Sequence, residues 1–176
     1  LGRIRGVKRP ALAATFPVLN GSAIAIDVGA NADCKPEYLV QFAIMGSMYA
    51  KKGYGIDRPR IGLLSNGEEA GKGSQLVKDT YPLLADSNLN FKGNVEAKEV
   101  FAGQVDVVVS DGFSGNVFLK TSQAVAKFLI DIIRNEIKSN PIASVGGLLA
   151  KPAFRQVGEL LDPAEYGAAP LLGIDG

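Results

Sequence analysis

Three times along this 176-residue chain, a run of apolar, mostly β-branched positions stops at a glycine-polar turn, and a helically periodic stretch follows. Residues 105–116, VDVVVSDGFSGN, show it most plainly. Val105, Val107, Val108 and Val109 end at Ser110-Asp111-Gly112, and Ser114-Gly115-Asn116 opens a long apolar-periodic segment. AIAIDVGAN (23–31) leads into a helix beginning near Pro36, and RIGLLSNGEEAGKG (60–73) into one beginning near Ser74. Each pattern predicts a buried strand, a tight turn and a helix start. Such turns aim backbone N–H groups and a helix N-terminus at one point, which suits an anion.

The rest of the pattern continues the alternation. Residues 11–19 read as extended, with Pro17 favouring a sheet edge, and 23–29 as a strand. Residues 36–52 read as a helix with proline at its first position, ended by Gly53 and Gly55. It is apolar on nearly all sides (Leu39, Val40, Phe42, Ala43, Ile44, Met45, Met48, Tyr49), which predicts burial between layers or at a subunit interface. A strand at 60–64, a helix at 74–86, a strand at 91–96, a small helix at 97–102 and a strand at 105–110 follow. The longest helix is predicted over 115–138. Its Val117, Phe118, Thr121, Ala124, Val125, Phe128, Leu129, Ile132 and Ile133 recur at helical spacing, and burying each large one would contribute about 1.5–3 kcal/mol. Asn140-Pro141 breaks it. The paired glycine in PIASVGGLLAKP (141–152) predicts a poor core helix. Another helical stretch, 153–161, should end at Asp162-Pro163. The opening LGRIRGVKRPALA reads as a helix end running into a loop, and YGAAPLLGIDG (166–176) as an interrupted strand and turn. The alternation predicts one α/β domain over 1–176, with a largely parallel sheet and ligands beyond the carboxyl ends of its strands. It also reads as an excerpt of a longer protein.

Composition narrows the chemistry. Nineteen basic and eighteen acidic residues give a net charge of +1, with no basic run, so no nucleic-acid partner is expected. The apolar runs are strand length, short of the roughly 20 residues that span a bilayer. No secretory signal pattern opens the chain. The single cysteine, Cys34, excludes an internal disulfide framework and fits a reducing compartment. The chain has no histidine. That excludes Ser-His-Asp and Cys-His catalysis and the common histidine zinc sites, leaving acid–base work to carboxylates, lysine or the substrate.

Each turn admits two readings. Asp111, Gly112, Gly115 and Asn116 form either a plain turn with a helix cap, or a doubled-glycine mouth where a ligand reaches the backbone beside an amide. Lys72, between Gly71 and Gly73 at a helix start, works against the helix dipole unless it serves an anion; otherwise it is a solvated loop lysine. Its segment is not a Walker A motif. Asp27, Gly29, Asn31 and Lys35 close the first turn, where Asp27 is either a ligand contact or a strand-end cap. Cys34 has no histidine partner and reads as a small residue. Glu68, Glu69 and Glu96 with Asp111 lack metal-ligand spacing, so no metal is predicted.

Taken together, IDVGANADCKPEYLVQFAIMGSMYA, RIGLLSNGEEAGKGSQL, FKGNVEAKEV and VDVVVSDGFSGNVFLKT closely resemble the PlsX family of bacterial phosphate acyltransferases, over essentially the whole chain and in order. That resemblance implies conversion of an acyl carrier protein thioester and inorganic phosphate into acyl phosphate, for phospholipid synthesis, with no cofactor. It implies a three-layer α/β/α fold like the isocitrate and isopropylmalate dehydrogenases and phosphotransacetylase. A cytoplasmic homodimer loosely associated with the membrane is also implied, with the apolar 142–149 tip as a membrane contact or, alternatively, a dimer contact or a plain loop. The family's catalytic lysine falls on Lys72 and its asparagine on Asn116. Asp27, Gly29, Asn31, Lys35, Asn66, Gly73, Asp111, Gly112 and Gly115 are the implied substrate-binding set. The chain reads SNGEE where NVGTE is common, which shifts the asparagine to Asn66. The family's first strands precede residue 1, and a C-terminal portion is missing, so the site is partial. The chemistry suits a histidine-free protein. Phosphate is already ionised near neutral pH and a thiolate leaves unprotonated, so holding an anion beside a carbonyl and stabilising the oxyanion is the main task. A phosphotransacetylase-type enzyme using acyl-CoA, and a non-catalytic segment docking carrier protein or membrane, are the alternatives.

Overall fold

The structure is a computed structural model that describes residues 2–161 and 169–175. Strands β1 (Ala11–Val18) and β2 (Gly21–Ile26) form an antiparallel hairpin through Leu19-Asn20. Asn20 takes φ +65 there, a conformation asparagine tolerates better than most residues. Then follow α1 (Pro36–Tyr54), β3 (Ile61–Leu64), α2 (Gln75–Ala85), β4 (Phe91–Val95), α3 (Ala97–Phe101), β5 (Val107–Val109), α4 (Gly112–Ser139), α5 (Pro141–Leu149), α6 (Lys151–Leu160) and β6 (Leu171–Leu172). The sheet order is β4-β3-β5-β2-β1-β6. β4, β3, β5 and β2 pair in parallel, and β1 is antiparallel to both neighbours. The sheet is therefore mostly parallel, as the alternation predicts. β6 covers only Ala11 and Leu12 of β1. Pro17 lies on the uncovered remainder, where a missing N–H costs least.

Period-two alternation sends neighbouring strand residues to opposite faces. Ile24, Ile26, Ile61, Leu63, Val107 and Val109 pack under Leu39, Phe42 and Ala43 of α1 and Val77 and Leu84 of α2. Ala23, Ala25 and Val108 face the other way, with Phe16, Val95, Val100 and the α4 residues Phe118 and Leu119. Phe16 meets Phe101 and Phe118 edge-on at 5.7 and 5.5 Å. Helices thus cover both faces of the sheet.

Several expectations change. α1 buries one side against the sheet through Leu39, Phe42, Ala43, Gly46 and Ala50, so the neighbouring layer covers part of the apolar surface expected of it, and Ile44 and Met48 are exposed in the single chain. It runs to Tyr54, two residues past the predicted Lys52, with Gly53 inside it, and Gly55 at φ +69 caps it as expected. α4 starts at Gly112 instead of 115, because the Asp111 carboxylate, not Ser114, caps it and accepts the Ser114 N–H at 2.8 Å. Its apolar stripe is not buried. Val117, Val125, Phe128, Leu129, Ile132 and Ile133 stay exposed, and only Gly112 and Gly115 are fully covered. A 28-residue helix is about 42 Å long, so it outruns the short strands after two turns. The 141–152 segment is helical as α5 but contributes no buried residue, in line with its poor-core reading. Gly147 there lets α5 fold back onto Ile137 of α4, since a Cβ would come within 2.5 Å of the Ile137 side chain. α6 begins at Lys151, and the expected stop at Asp162-Pro163 lies outside the described residues. The opening residues are not a helix end: Arg3 bridges Ile174 in antiparallel fashion, and the Ile4 N–H donates to the Gly173 carbonyl at 3.0 Å. Of the closing strand and turn, residues 166–168 and 176 lie outside the described residues; β6 supplies the strand. Among the described residues no helix is long and apolar enough to cross a membrane.

Candidate functional site

The three glycine turns follow β2, β3 and β5, parallel neighbours, so they emerge side by side at one sheet edge. The first is organised by Asp27. It is fully buried, and its carboxylate accepts the N–H groups of Leu12 (2.9 Å), Gly29 (3.3 Å), Ala30 (3.0 Å) and Asn31 (2.7 Å) and the Asn31 side-chain amide (2.8 Å). Five donors satisfy a buried anion of this kind. Asp27 therefore shapes the turn and is not itself presented to a ligand. Asn31 is committed too: its amide also donates to the Pro10 carbonyl at 2.7 Å.

The third turn locks onto the first. The Gly112 N–H donates to the Asn31 carbonyl at 2.7 Å, and Ser110 Oγ donates to the Asp27 carbonyl at 3.3 Å. A Cβ on Gly112 would lie 2.8 Å from the Asn31 backbone. One on Gly115 would overlap the Asp27 carbonyl oxygen and come within 2.5 Å of Ser110 Oγ. The doubled glycine thus serves an approach of chain to chain. This corrects the expectation that Gly112 and Gly115 leave room for a ligand: the first turn fills that room. Gly29 differs. It is exposed at φ +140, and a Cβ there would sit 3.8 Å from Asn116 Cγ. Gly29 and the exposed amide of Asn116 are therefore neighbours at the mouth of the site.

In the second turn, Asn66 Oδ1 accepts the Gly73 N–H at 2.9 Å, with Gly73 at φ +95, and Ser74 caps α2. Asn66 thus spends its carbonyl on the loop itself. Lys72 is exposed, with its stem against Gly67. A pocket of about 250 Å³ opens between the second and third turns, lined by Ser65, Asn66, Ser74, Asp111 and Ser114 together with the apolar Leu39, Leu64 and Val77. The α2 and α4 N-termini flank it, and Ser65 Oγ is buried without a hydrogen-bond partner among the described residues. The Asp111 carboxylate is directed to Ser114, accepting both its N–H and its hydroxyl at 2.8 Å. A larger apolar groove of about 730 Å³ runs between the β1–β2 hairpin and α4, lined by Thr15, Pro17, Leu19, Asn116 and Leu119 among others. Asn116 therefore stands where the apolar groove meets the turns. Lys35 is exposed beside α1 and lines neither space.

Cys34 is half-buried and donates to the Asn31 carbonyl at 3.4 Å. Burial, with Asp111, Asp27 and Asp33 acting in the same sense, pushes its thiol up to about 11. It is a protonated thiol at neutral pH and a poor nucleophile. Of the carboxylates, Glu68 and Glu96 do meet, but with Glu99 in place of Glu69 and Asp111. The Lys98 ammonium lies among them at 3.6, 2.7 and 3.3 Å from Glu68, Glu96 and Glu99. Glu96 and Glu99 also form a capping box on α3, a pattern visible as E-x-x-E. The sequence reading missed Ser65 and Asn94. The latter is buried on β4 and donates to the Glu69 carbonyl at 2.8 Å.

The profile of the family described as "Fatty acid synthesis protein" matches residues 1–176. The chain belongs to that family. It is 54% identical over its whole length to a phosphate acyltransferase of Elusimicrobium minutum, covering 52% of that protein. It is 51% identical, again over its whole length, to one from Acidobacterium capsulatum, covering 52% of it. It therefore spans about half the length of the curated relatives it matches. Among solved structures, the EutD phosphotransacetylase from Staphylococcus aureus superposes with TM-score 0.56 at 18% identity, over 71% of this chain and 44% of that one. A phosphotransacetylase from Streptococcus pyogenes gives 0.54 at 18%, over the same shares. These two establish a shared α/β fold.

Proposed function

We propose that the intact protein transfers a fatty acyl group from an acyl carrier protein thioester to inorganic phosphate. Near 50% identity across every residue of the chain to phosphate acyltransferases carries this reading. A phosphate oxygen attacks the thioester carbon, the C–O bond forms, the C–S bond breaks, and the carrier leaves as a thiolate. Phosphate sits in the pocket between the second and third turns, at the N-terminus of α2 and beside the hydroxyls of Ser65 and Ser74. Lys72 neutralises phosphate or the oxyanion, and Asn116 donates a hydrogen bond to the reacting centre. Asn31, Asp27, Gly112 and Gly115 build the platform, and Gly29 leaves Asn116 uncrowded. The apolar groove beside Asn116 receives the acyl chain; its volume is in the range of ligand pockets.

The segment is one α/β domain of a longer chain with an isocitrate-dehydrogenase-like fold, working in the cytoplasm as a homodimer. The exposed stripe of α4 supports a subunit contact. Ile142 and Leu149, 84% and 79% exposed, support peripheral contact with a membrane. A phosphotransacetylase-type enzyme acting on acyl-CoA is the second reading, favoured by the two structural neighbours. The test is acyl phosphate formation by the intact protein with matched acyl carrier protein and CoA thioesters. Faster phosphate-dependent turnover of the carrier thioester is expected. Preference for CoA would support the second reading, and no turnover with either would overturn both.

A further inference from the structure

We propose that Asn94 is a positioning residue for Lys72, acting through the carbonyl of Glu69. The inference rests on the assignment of Lys72 above. Glu68, Glu69, Ala70, Gly71 and Lys72 are all exposed, so the loop that carries the lysine has little packing of its own. The Lys72 N–H donates to the Glu69 carbonyl at 2.9 Å. The Asn94 amide, from the carboxyl end of the neighbouring strand β4, donates to the same oxygen at 2.8 Å. One acceptor thus ties the backbone of Lys72 to a side chain that is only 4% exposed. The other ties are weaker or more remote. The Lys98–Glu68 pair is long, at 3.6 Å, and solvent-exposed, and Asn66 fixes Gly73 from inside the loop.

The residue type itself argues for a role beyond strand stability. Asparagine is a poor strand former, and a buried amide needs partners. Asn94 Oδ1 has none among the described residues, so an aliphatic residue would suit β4 better. The orientation of the amide follows from its partner: a carbonyl only accepts, so the NH₂ end faces Glu69. Losing that donor releases the Glu69 carbonyl and, with it, the Lys72 backbone. A displacement near 1 Å at a substrate-positioning group costs on the order of 10²-fold in rate.

The test is a double-mutant cycle in the intact protein, with Lys72→Ala and Asn94→Leu, read as kcat and the phosphate KM for acyl phosphate formation. Asn94→Leu should lower kcat/KM by about 10- to 100-fold. It should divide that loss between kcat and phosphate KM as Lys72→Ala does, and have less than about a twofold effect on the Lys72→Ala background, where nothing is left to position. Equal losses on both backgrounds would mean a purely structural role and overturn the proposal, as would near-wild-type activity of Asn94→Leu. Full activity of Lys72→Ala would instead overturn the lysine assignment, and the positioning role with it. Should Asn94→Leu not fold, Asn94→Ala is read by the same criteria.

Discussion

Gly115→Ala probes the contact that joins the first and third turns. The added methyl would lie 2.5 Å from Ser110 Oγ and overlap the Asp27 carbonyl oxygen, where carbon and oxygen ordinarily stay about 3.3 Å apart. The obstacle is backbone, and it cannot easily retreat, because the Asp27 carboxylate holds the residues on both sides of the turn. Overpacking in a tight core costs about 1–3 kcal/mol, and an unyielding neighbour puts this site at about 3. Losing the Ser110–Asp27 bond adds about 1 kcal/mol, and alanine's better helix propensity returns about 1 kcal/mol. The net expectation is a loss of about 3 kcal/mol, read from urea denaturation of the intact protein followed by circular dichroism. Gly146→Ala is the matched control. No atom lies within 4 Å of its Cβ position, so it should be neutral or gain up to about 1 kcal/mol. A loss under about 1 kcal/mol for Gly115→Ala would refute the close approach of the two turns.

Lys72→Ala should lower acyl phosphate formation by about 10²-fold or more with an unchanged melting temperature; near-wild-type turnover would remove the lysine from the mechanism. Arg60 binds the Asp106 carboxylate by Nε at 3.0 Å and Nη2 at 2.7 Å. Although burial opposes it, these bonds hold the Asp106 carboxyl below its ordinary range. A depressed carboxyl stabilises the fold fully above the unfolded value of about 3.9, and that contribution fades as pH falls through the lower folded value. Arg60→Ala should cost about 1–2 kcal/mol at pH 7, and the gap to wild type should close below about pH 4; a gap that persists in acid would contradict the pairing. Replacing Leu148 and Leu149 with Glu should abolish co-sedimentation with anionic liposomes and spare turnover of soluble acyl carrier protein. Unchanged sedimentation would remove the proposed membrane role, and dissociation of the proposed homodimer would assign the tip to an interface.

The strand–turn–helix alternation was legible because each strand is buried on both faces and each turn is marked by glycine and a polar residue. Val107–Val109 and Ile61–Leu64 show this most clearly. The antiparallel placement of β1 had a local signal that went unused: Asn20-Gly21 stands between two extended apolar runs, and that dipeptide marks a hairpin. The α4 stripe was read as core because periodicity reports that a face is apolar and says nothing of what covers it. At the turns, residue types revealed that Asp27, Asn31, Gly112 and Gly115 matter, but not why. Their purpose is a contact of Gly112 and Gly115 with residues more than 80 positions earlier in the chain, which no local pattern encodes. Asn94 and Ser65 escaped notice because an isolated polar residue at a strand end looks like any turn residue until the neighbouring strand is in place.

The most direct measurement is the phosphate dependence of acyl phosphate formation by intact protein carrying Asn116→Asp. The substitution keeps the shape of the side chain beside Gly29 and replaces a donor with a negative charge, which would repel phosphate bound as proposed. Turnover should fall by about 10²-fold or more and the phosphate KM should rise, while stability stays within about 0.5 kcal/mol, because the residue is exposed. Unchanged phosphate dependence would reduce Asn116 to a residue of the helix terminus and contradict a phosphate acyltransferase site at these three turns.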